Sequence, residues 1–187
     1  MNELIAFLKA DANVANAFAA LASAAAAFLA LVVSCISVWI AVRTLSSQQK
    51  HNELSVRPLA EVTVADYENS LRVKLRNNGT GPMIITTVQV SKGERNKGCV
   101  VEWMPPLPSA RVWNAFSHEL IERTLQPGSE IVLLELTEYA GEKDFALCRD
   151  AVRAALAPLT VSVRYTDIYN KAMPVRVKSL SWFGRHK

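Results

Sequence analysis

The residue types that most often carry enzyme chemistry are sparse in this sequence. Of its three histidines, His51 lies between the apolar run and the expected domain and His186 lies at the C-terminal end of that domain, which leaves His118 in the middle of its sequence. Ser117 is its neighbour, but no Gly-x-Ser-x-Gly pattern of a nucleophilic serine surrounds it. Carboxylates that are distant in sequence could still meet in space. The sequence therefore predicts a protein that is not an enzyme and assigns no catalytic residue.

The cysteines also give no clear chemical pattern. Cys35 lies in an apolar run, and Cys99 and Cys148 are far apart in the remaining chain. An odd number of cysteines without close spacing argues against a disulfide framework and against a metal-binding knuckle. We predict three free thiols, a reducing compartment, no metal and no cofactor.

Two glycines could in principle hold a phosphate group with their backbone amides. Gly79 and Gly81 occur in the segment NNGTGP. A phosphate-binding loop of the Walker type needs Gly-Lys-Ser or Gly-Lys-Thr before a helix, whereas here Pro82 precedes a β-branched run. The pattern predicts a turn between two strands.

A second turn carries the candidate ligand contacts. Tyr165, Asp167 and Tyr169 flank it. In one interpretation the tyrosine rings pack in the core and the Asp167 side chain caps the turn. In the other, nearby basic residues help to bind a small anionic ligand. The candidate contacts are Arg164, Asp167, Lys171 and Arg176.

An apolar segment precedes all of these residues. The 31 positions from Ala12 to Val42 contain no Asp, Glu, Lys or Arg. About twenty helical residues cross the hydrocarbon core of a bilayer. A cleaved signal peptide would be shorter and would follow a basic start, and a soluble core helix is seldom apolar on every face. With no charge, glycine or proline at which to reverse, the segment is predicted to be one transmembrane helix.

Small residues recur every four positions in this segment and form two rows on nearly the same side of a helix. Such rows let helices approach closely in lipid, which predicts a homo-oligomer. An alanine-rich composition would produce the same rows without any association. The predicted packing face consists of Ala15, Ala19, Ser23 and Ala27 in one row and Ala22, Ala26 and Ala30 in the other.

The flanking charges predict the orientation of the helix. Lys9 precedes the span, whereas Arg43, Lys50 and Arg57 follow it. Because basic residues favour the cytoplasmic side, the C-terminal part is predicted to be cytoplasmic in a protein of the bacterial inner membrane. That part carries 20 basic and 15 acidic residues, but they are dispersed. Nucleic acid is therefore an unlikely partner, and the lipid bilayer is an expected one.

The remaining chain has the pattern of a β-rich domain. Apolar residues alternate with polar ones in Leu71–Arg76 and Leu159–Tyr165, and turn residues separate seven or eight such short segments. The helical period appears only in Asp144–Ala157. This pattern predicts an antiparallel sandwich or small barrel with one inserted helix. The expected organisation is an N-terminal flank at 1–11, a transmembrane helix at 12–42, a helical linker at 43–57 and a soluble domain at 58–187.

The predicted strands outside the two alternating segments are Ala60–Val64, Met83–Val90, Cys99–Trp103, His118–Thr124, Glu130–Leu136 and Pro174–Trp182, with a loop at Ser91–Gly98.

Two segments resemble a known group of proteins. NNGTGPMIITTVQV and YTDIYN are similar to elements of bacterial membrane-anchored β-sandwich proteins of unassigned role. The resemblance implies an immunoglobulin-like sandwich and transfers no catalytic residue. The layout also resembles that of membrane-anchored β-rich effectors of antiphage systems, although those often have two spans and this chain has one.

Three functions follow, in order of preference. The first is a non-enzymatic sensing or interaction module that binds a protein or a small anionic ligand, with oligomeric helices that could act on the membrane in antiphage defence. The second is a structural envelope or secretion-associated protein with its sandwich outside the cytoplasm. The third is a membrane-tethered enzyme.

Overall fold

The computed structural model describes residues 12–108 and 111–185, together with Glu3, Ile5 and Ala6. The chain forms two compact units, Met1–Asn52 and Glu53–Lys187. Most of the predicted N-terminal flank, including Lys9, lies outside the described residues, as does His186.

Helix α1 extends from Ala12 to Ser55. Its 44 residues correspond to about 66 Å at 1.5 Å per residue, whereas a bilayer core is about 30 Å thick. Every residue from position 16 to position 55 is exposed. In the described part of the chain, α1 is the one helix long and apolar enough to cross a membrane. The prediction of a single long apolar helix near the N-terminus is therefore confirmed.

The apolar part of α1 ends beside a basic side chain. The Arg43 guanidinium lies 4.7 Å from the centre of the Trp39 ring. An indole with a cation above it is typical of the zone where hydrocarbon meets headgroups. The helix then continues for three polar turns, so its end is distinct from the end of its apolar segment.

The second unit begins with the last three residues of α1, and the elements with described bounds that follow are nine strands, a second α-helix and two short 3₁₀ helices. The strands are β1 (Ala60–Asp66), β2 (Ser70–Asn77), β3 (Met83–Lys92), β4 (Arg95–Lys97), β5 (Ala115–Phe116), β6 (Thr124–Leu125), β7 (Glu130–Thr137), β8 (Thr160–Thr166) and β9 (Arg176–Ser179). Helix α2 is Phe145–Leu156, and the 3₁₀ helices are Val101–Trp103 and Ser181–Gly184.

The strands form two antiparallel sheets. One has the order β1-β2-β7-β5; the other has the order β4-β3-β8-β9, with β6 also paired to β3. These are the A-B-E-D and C′-C-F-G orders of an immunoglobulin-like sandwich. Strand β7 corresponds to strand E and β8 to strand F, and α2 is inserted between them. The predicted fold class is confirmed, and two separate sheets identify a sandwich rather than a barrel.

Strand β2 shows how the alternating pattern places side chains. Leu71, Val73 and Leu75 are fully buried in the core. The residues between them point outward, where Arg72 Nε lies 3.1 Å from Glu135. Lys74 Nζ lies 2.5 Å from Glu130. The basic outer face of this strand is thus paired with acidic residues of β7.

Helix α2 packs through Phe145, Cys148, Val152 and Leu156, and an ion-pair group holds its polar side. Arg153 contacts the buried carboxylate of Asp66 through Nε at 2.9 Å and Nη2 at 2.7 Å. Arg185 lies 3.1 Å from the same carboxylate.

Four predicted segments differ from the structure. Cys99–Trp103 was expected to be a strand, but its last three residues form a 3₁₀ helix. Of His118–Thr124, only Thr124 belongs to a strand, because Glu122 has a φ of 65° that breaks extended structure.

The other two differences are a shorter last strand and a strand inside a predicted loop. The last strand covers only Arg176–Ser179 of the expected Pro174–Trp182. The expected loop Ser91–Gly98 contains β4, which pairs with β3 across a tight turn that has Gly93 at a φ of 57°. Glycine adopts this conformation without strain.

Candidate functional site

The turn between β2 and β3 is organised by a buried amide. Asn77 is 0% exposed, and its Oδ1 accepts hydrogen bonds from the backbone amides of Leu59 at 3.1 Å and Gly79 at 3.0 Å. Its Nδ2 donates to the carbonyls of Gly81 at 2.8 Å and Leu125 at 3.0 Å. A buried amide with both donors and its acceptor in use costs little, whereas an unpaired one would be destabilising.

The two glycines of this turn face the chain's own backbone. A Cβ atom on Gly81 would lie 1.7 Å from the carbonyl oxygen of Val56, and one on Gly79 would lie 2.3 Å from that of Arg57. Thr80 adds a hydrogen bond from its hydroxyl to the carbonyl of Ser55 at 2.5 Å. No room for a phosphate exists at this position, and the motif instead holds residues 55–59 against the sandwich.

A cleft lies where the last turn of α1 meets the connection between β8 and β9, and we call it the junction cleft. Its volume is about 220 Å³. All of its lining residues belong to the second compact unit. They are Glu53, Leu54, Arg57, Asp167, Lys171, Ala172, Met173 and Pro174.

Asp167 and Lys171, two of the four predicted ligand contacts, line this cleft in different ways. Asp167 is only 2% exposed, and its Oδ1 accepts hydrogen bonds from the backbone amides of Tyr169 and Lys171, both at 2.9 Å. It caps the turn. Lys171 is exposed, and its Nζ lies 2.6 Å from the carboxylate of Glu53. The hydrogen bond and the charge of Glu53 raise the pKa of Lys171.

Arg164 and Arg176, the other two predicted contacts, lie elsewhere. Arg164 is exposed on β8 between the buried Val163 and Tyr165. Arg176 lines a different cleft, of about 390 Å³, between β9 and β1. The structure therefore brings together Asp167 and Lys171 but not the complete predicted set.

A second group of reactive side chains was not predicted. Cys99, Glu102 and His118 place one potential ligand atom each within 4.8 Å of the others, and we call them the Cys99 cluster. Cys99 Sγ lies 2.7 Å from Glu102 Oε1 and 3.7 Å from His118 Nδ1. Cys99 and Glu102 are three residues apart around a 3₁₀ helix, whereas His118 follows β5. The spacing Cys-x-x-Glu was the one signal present in the sequence.

The thiol of this cluster is poorly suited to nucleophilic attack. Cys99 is 2% exposed. Burial, and then the hydrogen bond to the Glu102 carboxylate, raise its pKa to about 11. Nucleophilic cysteines need accessibility and a lowered pKa. The arrangement is better suited to holding a proton or a metal ion between its three side chains than to covalent catalysis.

The predicted packing face lies along α1. Six of its seven residues are exposed in the single chain, and Ala15 is partly buried. The Ser23 hydroxyl donates to the carbonyl of Ala19 at 2.8 Å, so this polar group already has a partner within the helix. Self-association through this face stays a prediction.

Comparison with known proteins places the chain at the family level. No curated protein and no solved structure matches it significantly. A family model described as a domain of unknown function (DUF8453) matches residues 17–182. The match includes most of α1 as well as the sandwich. The chain belongs to the DUF8453 family.

Proposed function

We propose that this protein is a membrane-anchored, non-enzymatic interaction module that binds a small anionic ligand in the junction cleft. The observation that carries the proposal is the composition of this cleft, in which charged side chains of the last turn of α1 and of the connection between β8 and β9 line one space. A ligand bound there would contact the chain segment that leads directly into the membrane helix.

Two basic side chains of the cleft support binding of an anion, while of its two acidic ones Asp167 is already bonded to the amides of its own turn. Arg57 and Lys171 are basic, and the Lys171 Nζ atom forms an ion pair with the Glu53 carboxylate at 2.6 Å. This ion pair is exposed, and exposed pairs stabilise a protein only weakly. An incoming anion can therefore replace Glu53 on Lys171 at small cost. Because Glu53 belongs to the last turn of α1, this exchange would change the contacts of the helix end.

The size of the cleft limits the ligand. Sites for drug-sized molecules have volumes of roughly 300–1,000 Å³, and the junction cleft is smaller at about 220 Å³. It suits a phosphate or carboxylate group, either free or at the end of a larger molecule.

The experiment uses the full chain in nanodiscs of zwitterionic lipid, titrated with inorganic phosphate and with a nucleoside monophosphate. Lys171→Ala and Arg57→Ala should each weaken binding about tenfold, equivalent to about 1.4 kcal/mol. Glu53→Gln should strengthen it, because the competing carboxylate is removed. Arg164→Ala is the matched control, since it removes an exposed cation outside the cleft. Equal losses in all three alanine variants would show that only net charge matters and would reject the site.

We also propose a bacterial inner-membrane location with a cytoplasmic sandwich. The basic residues after the apolar segment support it, including Arg43 and Lys50. A reporter fused after Lys187 should change sides or lose a single orientation in the double variant Arg43→Glu, Lys50→Glu. An extracytoplasmic reporter in the parent protein would instead favour a structural role in the envelope.

The wider role that we propose is that of an antiphage effector, in which ligand binding reorders associated helices and perturbs the membrane. Its supports are the resemblance in layout and the small-residue rows of α1. Cells that carry the gene with its natural neighbours should restrict phage growth, and they should lose this ability with Lys171→Ala but not with Arg164→Ala. Equal plaque counts with and without the gene would remove the effector role.

A further inference from the structure

The Cys99 cluster combines three kinds of donor atom at one point of the domain. A sulfur, a carboxylate oxygen and an imidazole nitrogen lie within 4.8 Å of one another. They come from two segments of the chain: Cys99 and Glu102 lie in one, and His118 follows 19 positions after Cys99. We propose that Cys99, Glu102 and His118 are the protein ligands of a divalent metal ion of the zinc type.

The distances suit such an ion. Tetrahedral zinc has Zn–S bonds of about 2.3 Å and Zn–N bonds of about 2.0–2.1 Å, which places sulfur and nitrogen ligands roughly 3.6 Å apart. The observed separation of Cys99 Sγ and His118 Nδ1 is 3.7 Å. Cys99 Sγ and Glu102 Oε1 are closer, at 2.7 Å, because a thiol proton lies between them. They need to separate by slightly less than 1 Å to admit the ion.

The metal would take the place of this proton. Binding forms the metal–sulfur bond and releases the thiol proton to solvent, so the thiolate and the Glu102 carboxylate together balance the charge of a divalent cation. The donor set also selects the ion. Sulfur with imidazole suits zinc, whereas magnesium and calcium prefer oxygen ligands alone.

The fold holds two of the three ligands in place before any metal binds. Cys99 is buried, and the segment that carries Glu102 is fixed by a hydrogen bond from Trp103 Nε1 to the carbonyl of Val90 at 3.2 Å. His118 is exposed and can turn toward the ion. A bound ion would tie the 3₁₀ helix to the segment after β5 and would keep a fourth position open to solvent, as in sites with three protein ligands.

The test uses the purified full chain in detergent micelles under reducing conditions, with cobalt as a spectroscopic probe for zinc. One equivalent of Co²⁺ should produce the thiolate-to-metal charge-transfer band and the visible bands of tetrahedral cobalt, and Zn²⁺ should displace it. Cys148→Ser is the matched control, since it removes the other buried thiol of the domain and should leave the spectrum unchanged.

Variants of the exposed ligands keep the test independent of folding. His118→Ala and Glu102→Gln should each weaken Zn²⁺ binding by more than the roughly 10–100-fold cost of removing a hydrogen-bond partner of a metal ligand. Cys99→Ser should abolish the charge-transfer band. A parent protein without this band, or a band that persists in Cys99→Ser, would overturn the proposal. Equal affinity in the parent, His118→Ala and Glu102→Gln would overturn it as well.

Discussion

Helix α1 and the sandwich domain are specified in different ways. In α1 the apolar segment Ala12–Val42 is defined by composition, and all side chains from position 16 onward are exposed in the single chain. In the sandwich the same classes of residue have fixed places. Leu71, Val73 and Leu75 face the core, and the charged residues between them face outward.

This difference determines where each region can carry function. An apolar surface of such length needs lipid or another helix as its surroundings, so α1 acts through whatever surrounds it. The domain satisfies its apolar surface internally, so its functional groups lie in the turns and at the edges. A single substitution should therefore be tolerated in α1 and be damaging at many positions of the sandwich.

The largest effect is expected from Leu133→Asp in β7. Leu133 is 1% exposed, and burying an unpaired carboxylate costs several kcal/mol, against a total stability of about 5–15 kcal/mol for a domain. The full chain in micelles should lose its cooperative thermal transition. Leu147→Asp, at a position of α2 that is 64% exposed, is the control and should melt like the parent. Similar melting of both variants would show that the core is wrongly placed.

A smaller loss is expected from Gly81→Ala. The new methyl group would meet the carbonyl oxygen of Val56 at 1.7 Å, so the segment after α1 has to move. We expect a loss of about 3 kcal/mol in the free energy of unfolding, measured by urea denaturation of the full chain. Gly98→Ala is the matched control, because a Cβ there meets no atom within 4 Å. A neutral Gly81→Ala would mean that the NNGTGP motif does not fix the junction.

The parts of the fold that follow local rules were predictable from sequence. Alternation identified β2 and β8, and the helical period identified α2, since burial of one face dictates both patterns. The segment after β4 follows no such rule. Cys99 and Val100 are buried consecutively, and the hydrogen bond from Trp103 to Val90 holds a 3₁₀ helix where β-branched residues favoured a strand.

The candidate sites depend on contacts between distant residues, and this is why the sequence predicted them only in part. Lys171 was predicted from its charge near a turn, but its partner Glu53 lies 118 positions away. The Cys99 cluster depends on His118, which no periodicity connects with Cys99. Arg176 is the first residue of β9 and lines the separate cleft between β9 and β1 instead.

A prediction for α1 tests whether the positions of its small residues create a face on which two helices pack. The triple variant Ala19→Leu, Ser23→Leu, Ala26→Leu keeps the segment apolar but prevents close approach of two helices. We expect crosslinked oligomers in membranes to decrease about tenfold, since packing in lipid depends on van der Waals contact. The control exchanges Phe18, Leu21 and Phe28 for other large apolar residues and should leave the oligomers unchanged. Identical crosslinking in all three proteins would show that α1 is specified by composition alone.

The smallest effect concerns a single proton in the sandwich, at Cys99. Its pKa is raised from an ordinary value of 9.0 to about 11, so the folded protein holds this proton more tightly than the unfolded chain. The contribution of the thiol to stability is therefore complete below about pH 9 and is lost as the pH rises through about 11.

Alkylation of Cys99 by iodoacetamide, followed by mass spectrometry of its peptide, measures this directly, because only the thiolate reacts. At pH 9 the thiolate fraction should be roughly fiftyfold lower than that of an ordinary cysteine. The rate should then rise about tenfold per pH unit until about pH 11. Poor access of the reagent to the thiol would slow the reaction at every pH without moving the midpoint of this profile. Glu102→Gln should move the midpoint to lower pH, because it removes the negative charge beside the sulfur. A profile that levels off near pH 9 in both proteins would mean that neither burial nor Glu102 raises the pKa of this thiol.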